Sequence, residues 1–385
     1  MSNIKSMLIL IFITLLFSTE LMAETKVNVI KTPNGGIQPK VRVDKSGQIH
    51  LVYYKGSDSG GDLFYIKKPK GGSFSSPTQV NSISGSAISA GTIRGAQFTL
   101  GQNDSIHVVW NSSQNGDLKK LYGPAMFYAS MTDKATKFSS QKVVTGKRHV
   151  DGGGAVAADK NGNVYIFFHS GAGPKGGQEK NRRVFIAVSR NGGKKFGKAR
   201  PISPATGVCG CCAMQADCDS NGNVYAVYRT ATNNKSRDIN LLVSKSKGKK
   251  FGSKILDKWP LNRCPMSSMS FCENTDRMII GWETNKQIKY TSVAKGSLKA
   301  KKVVSPNGGS KSGKHPVFAI SSEGNILVVW TEGTGWKKGG SIAWQELDSS
   351  MKSISKTGRL PAGVSIWNFV ASYFDAETKT FNILH

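Results

Sequence analysis

Six segments of this chain are copies of one unit: "PKVRVDKSGQIHLVYY", "GAQFTLGQNDSIHVVW", "AVAADKNGNVYIFF", "MQADCDSNGNVYAVY", "MSFCENTDRMIIGW" and "VFAISSEGNILVVW". Each holds an alternating strand, a polar turn often ending in Gly-Asn, and a second strand closing on an aromatic residue. Alternation with period two between turn signals predicts β-hairpins. A third strand follows, as in "MFYASM" and "VFIAVS", and then a short fourth, as in "QKVVT" and "ARPIS". Four-stranded units repeated about every fifty residues predict a β-propeller, in which radial repetition protects the sheet edges. No helical periodicity competes, so one all-β propeller accounts for residues 24–385.

Six full units run from Pro39 to Leu360, and "WNFVASYFDAETKTFNILH" supplies a first and second strand again. Near the other end "VNVIKTPNGG" reads like the fourth strand in "KVVSPNGG". Pairing the two ends would close the ring and leave no open edge. The expectation is seven blades, the last one lacking a strand and closed by the N-terminal one. Six blades with a packed tail is the alternative.

Between third and fourth strands lies "SRNGGKKF", Ser189 to Phe196. It resembles the Asp-box (Ser-x-Asp-x-Gly-x-x-aromatic) of the sialidase and BNR-repeat superfamily, with Asn191 in the Asp place. "MTDKATKF" keeps Asp133 and Phe138, "SKSKGKKF" keeps Ser244, Gly248 and Phe251, and "KKPKGGSF" keeps Gly71 and Phe74. The resemblance covers nearly the whole propeller region. It implies that these turns are structural and that the ligand site lies on the opposite face. That family's chemistry uses three arginines to grip a carboxylate, a Tyr nucleophile paired with a Glu, and a separate Asp as acid/base. Here the early Arg-Ile-Pro signature is absent and no Tyr/Glu pair can be matched. Fold does not imply function, so the resemblance leaves open a glycoside hydrolase and a non-catalytic binding propeller.

Propeller topology sorts the loops. Those leading into first strands and those after second strands share one face, the mouth. They carry Arg94, Arg148, His149, Asp151, His169, Arg229, Arg237, Glu283, His315, Glu332 and Trp336, while lysines dominate the other turns. Polar groups converging on a concavity make the default site. Glu283 and Glu332 end second strands, and with Asp151 they are the candidate catalytic carboxylates. Paired carboxylates are what glycoside hydrolysis needs. Arg94, Arg229 and Arg237 are candidate clamps, since a planar guanidinium meets a carboxylate with two bonds. Arg148, His149, His169 and His315 are further candidate ligand contacts, and Trp336 offers an aromatic platform.

The chain holds 53 Lys and Arg against 24 Asp and Glu, a net charge of +29. Such a field favours anionic partners, and the resemblance narrows them to an acidic or sulfated glycan. A solvated lysine-rich surface would read the same way. Nucleic acid is excluded, because no reader motif is present and the chain is expected to be exported. The N-terminal "MSNIKSMLILIFITLLFSTELMA" places one Lys before an apolar run and ends on a small residue, as a secretory signal over residues 1–23 does. No later segment reads as transmembrane. The expected product is a bacterial monomer in the periplasm or released.

"TGVCGCCAMQADC" puts four of the six cysteines within a few positions of each other. Aligning blades four and five sets Cys264 opposite Cys209, Cys211 and Cys212, and Cys218 opposite Cys272. Export favours disulfides stitching the two blades. The alternative is a soft-sulfur site for copper or zinc, or a redox device, built from Cys209, Cys211, Cys212 and Cys264.

Overall fold

The computed structural model describes residues 25–91, 95–113, 115–132, 134–150, 152–171 and 178–385. The signal segment, Arg94, Asp133 and Asp151 lie outside the described residues. Seven antiparallel units form a ring. Their inner strands are Ile37–Val43, Gln97–Leu100, Gly154–Ala158, Gln215–Cys218, Ser270–Glu273, Gly313–Ile320 and Ala371–Asp375. Neighbouring inner strands touch all the way round, the last against the first. This is a seven-bladed β-propeller.

The ring closes differently from the expectation at one point. Val27–Ile30 pairs with Thr380–Leu384, but it runs parallel to it and takes the third position of the last blade, not the fourth. Gly116–Tyr122 forms a short α-helix after the second strand of blade 2, where none was expected. It buries no residue and Leu121 is exposed, so no apolar stripe announced it.

Apolar residues facing outward from each sheet fill seven clusters between neighbouring blades. Two kinds of turn hold the sheets in register. In the first, Asp159 Oδ1 accepts the backbone N–H groups of Asn161 at 2.9 Å and Asn163 at 3.0 Å, while Oδ2 accepts the buried Tyr165 hydroxyl at 3.0 Å. Asp219 repeats the arrangement with Asn221, Asn223 and Tyr225. In the second, the box-like turn, Ser189 Oγ accepts the Gly193 N–H at 3.0 Å and Asn191 Oδ1 accepts the Lys195 N–H at 3.0 Å. The aromatic residue ending the turn then packs on the preceding blade: Phe196 edge-on to Tyr128, Phe251 to Phe167, Phe138 to Tyr65. These turns sit opposite the mouth and do structural work.

Candidate functional site

The inner strands of blades 1, 2, 4, 5, 6 and 7 enclose a chamber of about 90 Å³ at the mouth end of the central channel. That is room for about three waters, or for one carboxylate or sulfate group. Its polar lining is Lys40, Arg42, Gln97, Gln215, Ser268, Ser270, Ser372 and His315, with Phe98, Phe271, Phe318 and Phe369 among the apolar walls. No Asp or Glu lines it among the described residues.

Local sequence explains why these groups point inward. In blade 1 "IQPKV" carries a register shift between Ile37 and Lys40, and in blade 6 "KHPVF" carries one between Lys314 and Val317. Both irregularities contain a proline, which cannot donate to the ladder and sits where pairing breaks. The residue before each proline has a positive φ, Gln38 at 57° and His315 at 54°. This left-handed backbone turns Gln38 into the ring, where its amide donates to the carbonyls of Ser89 and Trp367.

His315 is 3 % exposed. Its Nδ1 meets Ser268 Oγ at 2.8 Å, its ring stands edge-on to Phe369, and its Nε2 is buried without a hydrogen-bond partner among the described residues. Burial, with the charges of Lys314 and Lys40, pushes its pKa down to about 3, so the ring is neutral at physiological pH. Burial and the Arg42 charge lower Lys40 to about 8, and its Nζ lies 5.8 Å from the Phe369 ring centre. Deeper in the channel Arg42 crosses to Asp217 at 3.5 Å. Beyond that bridge a wider cavity of about 580 Å³, lined by Asp217, Cys218, Cys272 and Glu273, opens on the opposite face.

Of the candidate clamps, Arg229 and Arg237 are engaged within the protein. Arg229 is 1 % exposed, donates to the carbonyls of Arg237 (2.8 Å) and Glu283, and lies over the Trp259 ring. Arg237 is buried with Glu179 at 2.7 Å. Arg148 stacks on Phe185 at 4.2 Å. Glu332 accepts the Trp330 indole N–H, the Lys311 backbone N–H and the Arg359 guanidinium. Burial would raise its pKa, but those donors hold it below the usual carboxylate range. Glu283 is 1 % exposed; Oε1 accepts the Lys286 N–H, and burial raises its pKa despite Arg229 at 3.9 Å. Neither carboxylate lines the chamber. His169 is fully buried and His149 partly so, both beneath the mouth. Trp336 is 57 % exposed and stands edge-on to Trp367, ring centres 4.8 Å apart. Trp367 precedes the chamber wall Phe369 by two positions.

At the rim between blades 4 and 5 the sulfurs of Cys209, Cys211 and Cys212 lie within 4.8 Å of one another. Cys264, from the neighbouring loop, lies next to this group but outside the set of sulfurs within 4.8 Å of one another. The Cys209 sulfur is 3.4 Å from that of Cys211 and 3.5 Å from that of Cys212. These separations exceed a disulfide bond, and all six cysteines are unbridged, Cys218 and Cys272 included. The expected disulfide staples are therefore not formed in this structure. The thiols act on one another: Cys209 and Cys211, with the Arg237 charge, draw Cys264 down, while Cys209 and Cys211 are themselves pushed up. Burial opposes ionisation of Cys212, yet its contacts with Cys209, Cys211 and Arg229 lower it too.

No family model matches the chain, and no curated protein matches it in sequence. Solved structures do match in fold. A Hadza microbial sialidase, Hz136, superposes with a TM-score of 0.53 at 11% identity, covering 83% of this chain and 70% of its own. A Penicillium chrysogenum α-L-arabinanase in complex with arabinobiose gives 0.53 at 11% identity, covering 85% and 98%. A protein of unknown function from Dyadobacter fermentans gives 0.54 at 14% identity, covering 80% and 94%. This chain shares the propeller fold found in sialidases and other glycan-acting propellers. At such identities the likeness speaks for the fold alone.

Proposed function

We propose that this chain is an exported binding propeller that takes the anionic group of an acidic or sulfated sugar into its central chamber. The observation that carries the reading is the chamber's lining: Lys40 stands there beside the neutral His315 and the Asp217-paired Arg42, and no carboxylate lines it among the described residues. An ammonium held in a low-dielectric cleft without an acidic partner is an anion site in waiting, because the ligand supplies the missing charge. His315 Nε2 provides a directional contact. With Ser268 donating to Nδ1, Nε2 carries the proton and donates to the anion. The sugar ring, too large for the chamber, rests outside it against the Trp336–Trp367 pair. The likeness in fold to glycan-acting propellers supports this choice of ligand class.

Binding is favoured over cleavage. Hydrolysis needs two carboxyl groups flanking the scissile bond, and Glu283 and Glu332 spend theirs on Lys286, Arg229, Arg359, Trp330 and Lys311. The test is titration calorimetry with sialic acid, glucuronate, galacturonate and a sulfated galactose, each beside its uncharged counterpart. The charged sugars are expected to bind, their neutral counterparts not, and Lys40→Met to remove binding. Equal affinity for charged and neutral sugars, or an unchanged Lys40→Met variant, would refute it.

A further inference from the structure

The four cysteines at the rim form a cluster that the chamber does not use. Two loops present it. The blade 4 loop is fixed by Val208 N–H to the Glu179 carbonyl (3.0 Å), Cys209 N–H to the Arg229 carbonyl (2.9 Å) and Gly210 N–H to the Glu179 carboxylate. It enters that course through Gly207, whose φ is +69° and where a Cβ would press on the backbone of Glu179, Lys180 and Ala231. The blade 5 loop carrying Cys264 is tied to it by Ala213 N–H to the Ser267 carbonyl at 3.0 Å and by a bridge between Ala213 and Ser268. The sulfurs are thus held by rigid backbone on three sides, and Cys264 approaches from the exposed side.

Thiolates around a tetrahedral zinc lie about 2.3 Å from the ion, which sets them roughly 3.8 Å from each other. The Cys209 sulfur lies 3.4 and 3.5 Å from those of Cys211 and Cys212, a few tenths short of that, and Cys264, outside the group of three within 4.8 Å, would swing in to complete the set. Closing a disulfide would need a far larger movement.

The surrounding charge fits the same occupant. Arg229 and Arg237 are buried against the cluster, and the Nε of each is buried with no hydrogen-bond partner. Glu179 pairs with Arg237 at 2.7 Å, but Glu283 stands 3.9 Å from Arg229. Buried guanidiniums need compensating negative charge. Four thiolates on a divalent ion, or three on a monovalent one, carry a net charge of about −2, which Arg229 and Arg237 offset beyond what Glu283 and Glu179 already balance. Sulfur donors alone, without carboxylate or water, select soft d¹⁰ ions over magnesium, calcium or manganese.

We infer that Cys209, Cys211, Cys212 and Cys264 form a binding site for one thiophilic d¹⁰ ion, copper(I) or zinc, at the rim between blades 4 and 5. Arg229 and Arg237 are its charge-balancing positioning residues. The site stands apart from the sugar-acid reading and does not depend on it.

The test uses the full mature chain, reduced and freed of metal, titrated anaerobically with copper(I) against a chromophoric copper(I) chelator and separately with zinc against a zinc indicator. About one ion per chain is expected in one arm, with a thiolate-to-metal charge-transfer band in the ultraviolet, and the stronger arm names the ion. Cys211→Ser with Cys212→Ser should abolish uptake, and Cys264→Ser should weaken it by at least about tenfold. Cys264 is exposed, so its variant keeps the test valid should the double variant fail to fold. Cys218→Ser with Cys272→Ser, away from the cluster, should leave the stoichiometry unchanged. Failure of the reduced wild type to take up either ion would overturn the inference, and the cysteines would then be disulfide partners on oxidation. Uptake that survives Cys264→Ser unweakened, or that vanishes with Cys218 and Cys272, would overturn the four-sulfur assignment.

Discussion

Asp159→Ala tests how the blades are held. Asp159 is 4 % exposed and accepts four hydrogen bonds: backbone N–H groups of Asn161 and Asn163, the Asn163 amide at 2.6 Å and the Tyr165 hydroxyl. The Asn161 N–H lies at a turn that water can reach and Asn163 is buried; these three bonds are taken at about 0.5–1 kcal/mol net each. The Tyr165 side chain is fully buried. Its hydroxyl loses a charged acceptor that water cannot replace, which adds about 1.5–3 kcal/mol. The expected loss is about 3–6 kcal/mol. Asp348 gives the internal control: it accepts Ser350 N–H, Ser350 Oγ and Lys352 N–H at an exposed turn, with no buried tyrosine. Asp348→Ala should lose only about 1.5–3 kcal/mol. The assay is urea unfolding followed by fluorescence and by circular dichroism, extended to the Asp159→Ala/Tyr165→Phe double-mutant cycle. A coupling of about 1.5 kcal/mol or more is expected. A coupling under about 0.5 kcal/mol, or equal losses at Asp159 and Asp348, would refute the claim that the turn is anchored through the buried hydroxyl.

Lys40 makes both ligand affinity and stability depend on pH. With its pKa near 8, sugar-acid affinity should fall as pH rises past that value, and calorimetry from pH 6 to 10 on Lys40→Met should show no such step. Between about pH 8 and the ordinary lysine value of 10.5, the unfolded chain holds more protons at this position than the folded one. Its contribution to stability therefore rises with pH there, which chemical denaturation at several pH values would detect. Glu332→Gln removes a carboxylate shared by Arg359, Trp330 and Lys311, and should lower stability by about 1–3 kcal/mol while leaving calorimetric sugar affinity intact. Its lowered pKa means that the wild-type contribution is present above the usual carboxylate range and fades as pH falls through the folded value. Gly193→Ala puts a Cβ at φ +81° onto the Tyr128 hydroxyl; thermal unfolding should show a loss of about 3 kcal/mol or more.

The propeller was legible because its signal is repeated: period-two alternation, the Gly-Asn turn and the closing aromatic recur from blade to blade, and each copy reinforces the others. Val27–Ile30 was misplaced because resemblance to a fourth strand says nothing of its partner, and only the ring's closure decides that it runs parallel to Thr380–Leu384. Sorting loops by face set the arginines and the sulfur loops on one side. It did not reveal depth. Arg229 bonds to main-chain carbonyls, and Glu332 meets Arg359 from a strand two places further along the blade. Both partners depend on register that composition does not encode. Lys40 and the chamber were missed because they lie on inner strands, where a polar residue reads as alternation. The readable trace was the repeated x-Pro, "QPKV" and "HPVF", at the start of blades 1 and 6, where the ladder breaks.

The most direct test of the anion-binding account is a crystal structure of residues 24–385 with the tightest-binding sugar acid. The account predicts a carboxylate or sulfate group inside the channel, within hydrogen-bonding distance of Lys40 Nζ and His315 Nε2, with the sugar ring beside Trp336. A ligand bound on the outer surface, with the chamber holding only water, would contradict it.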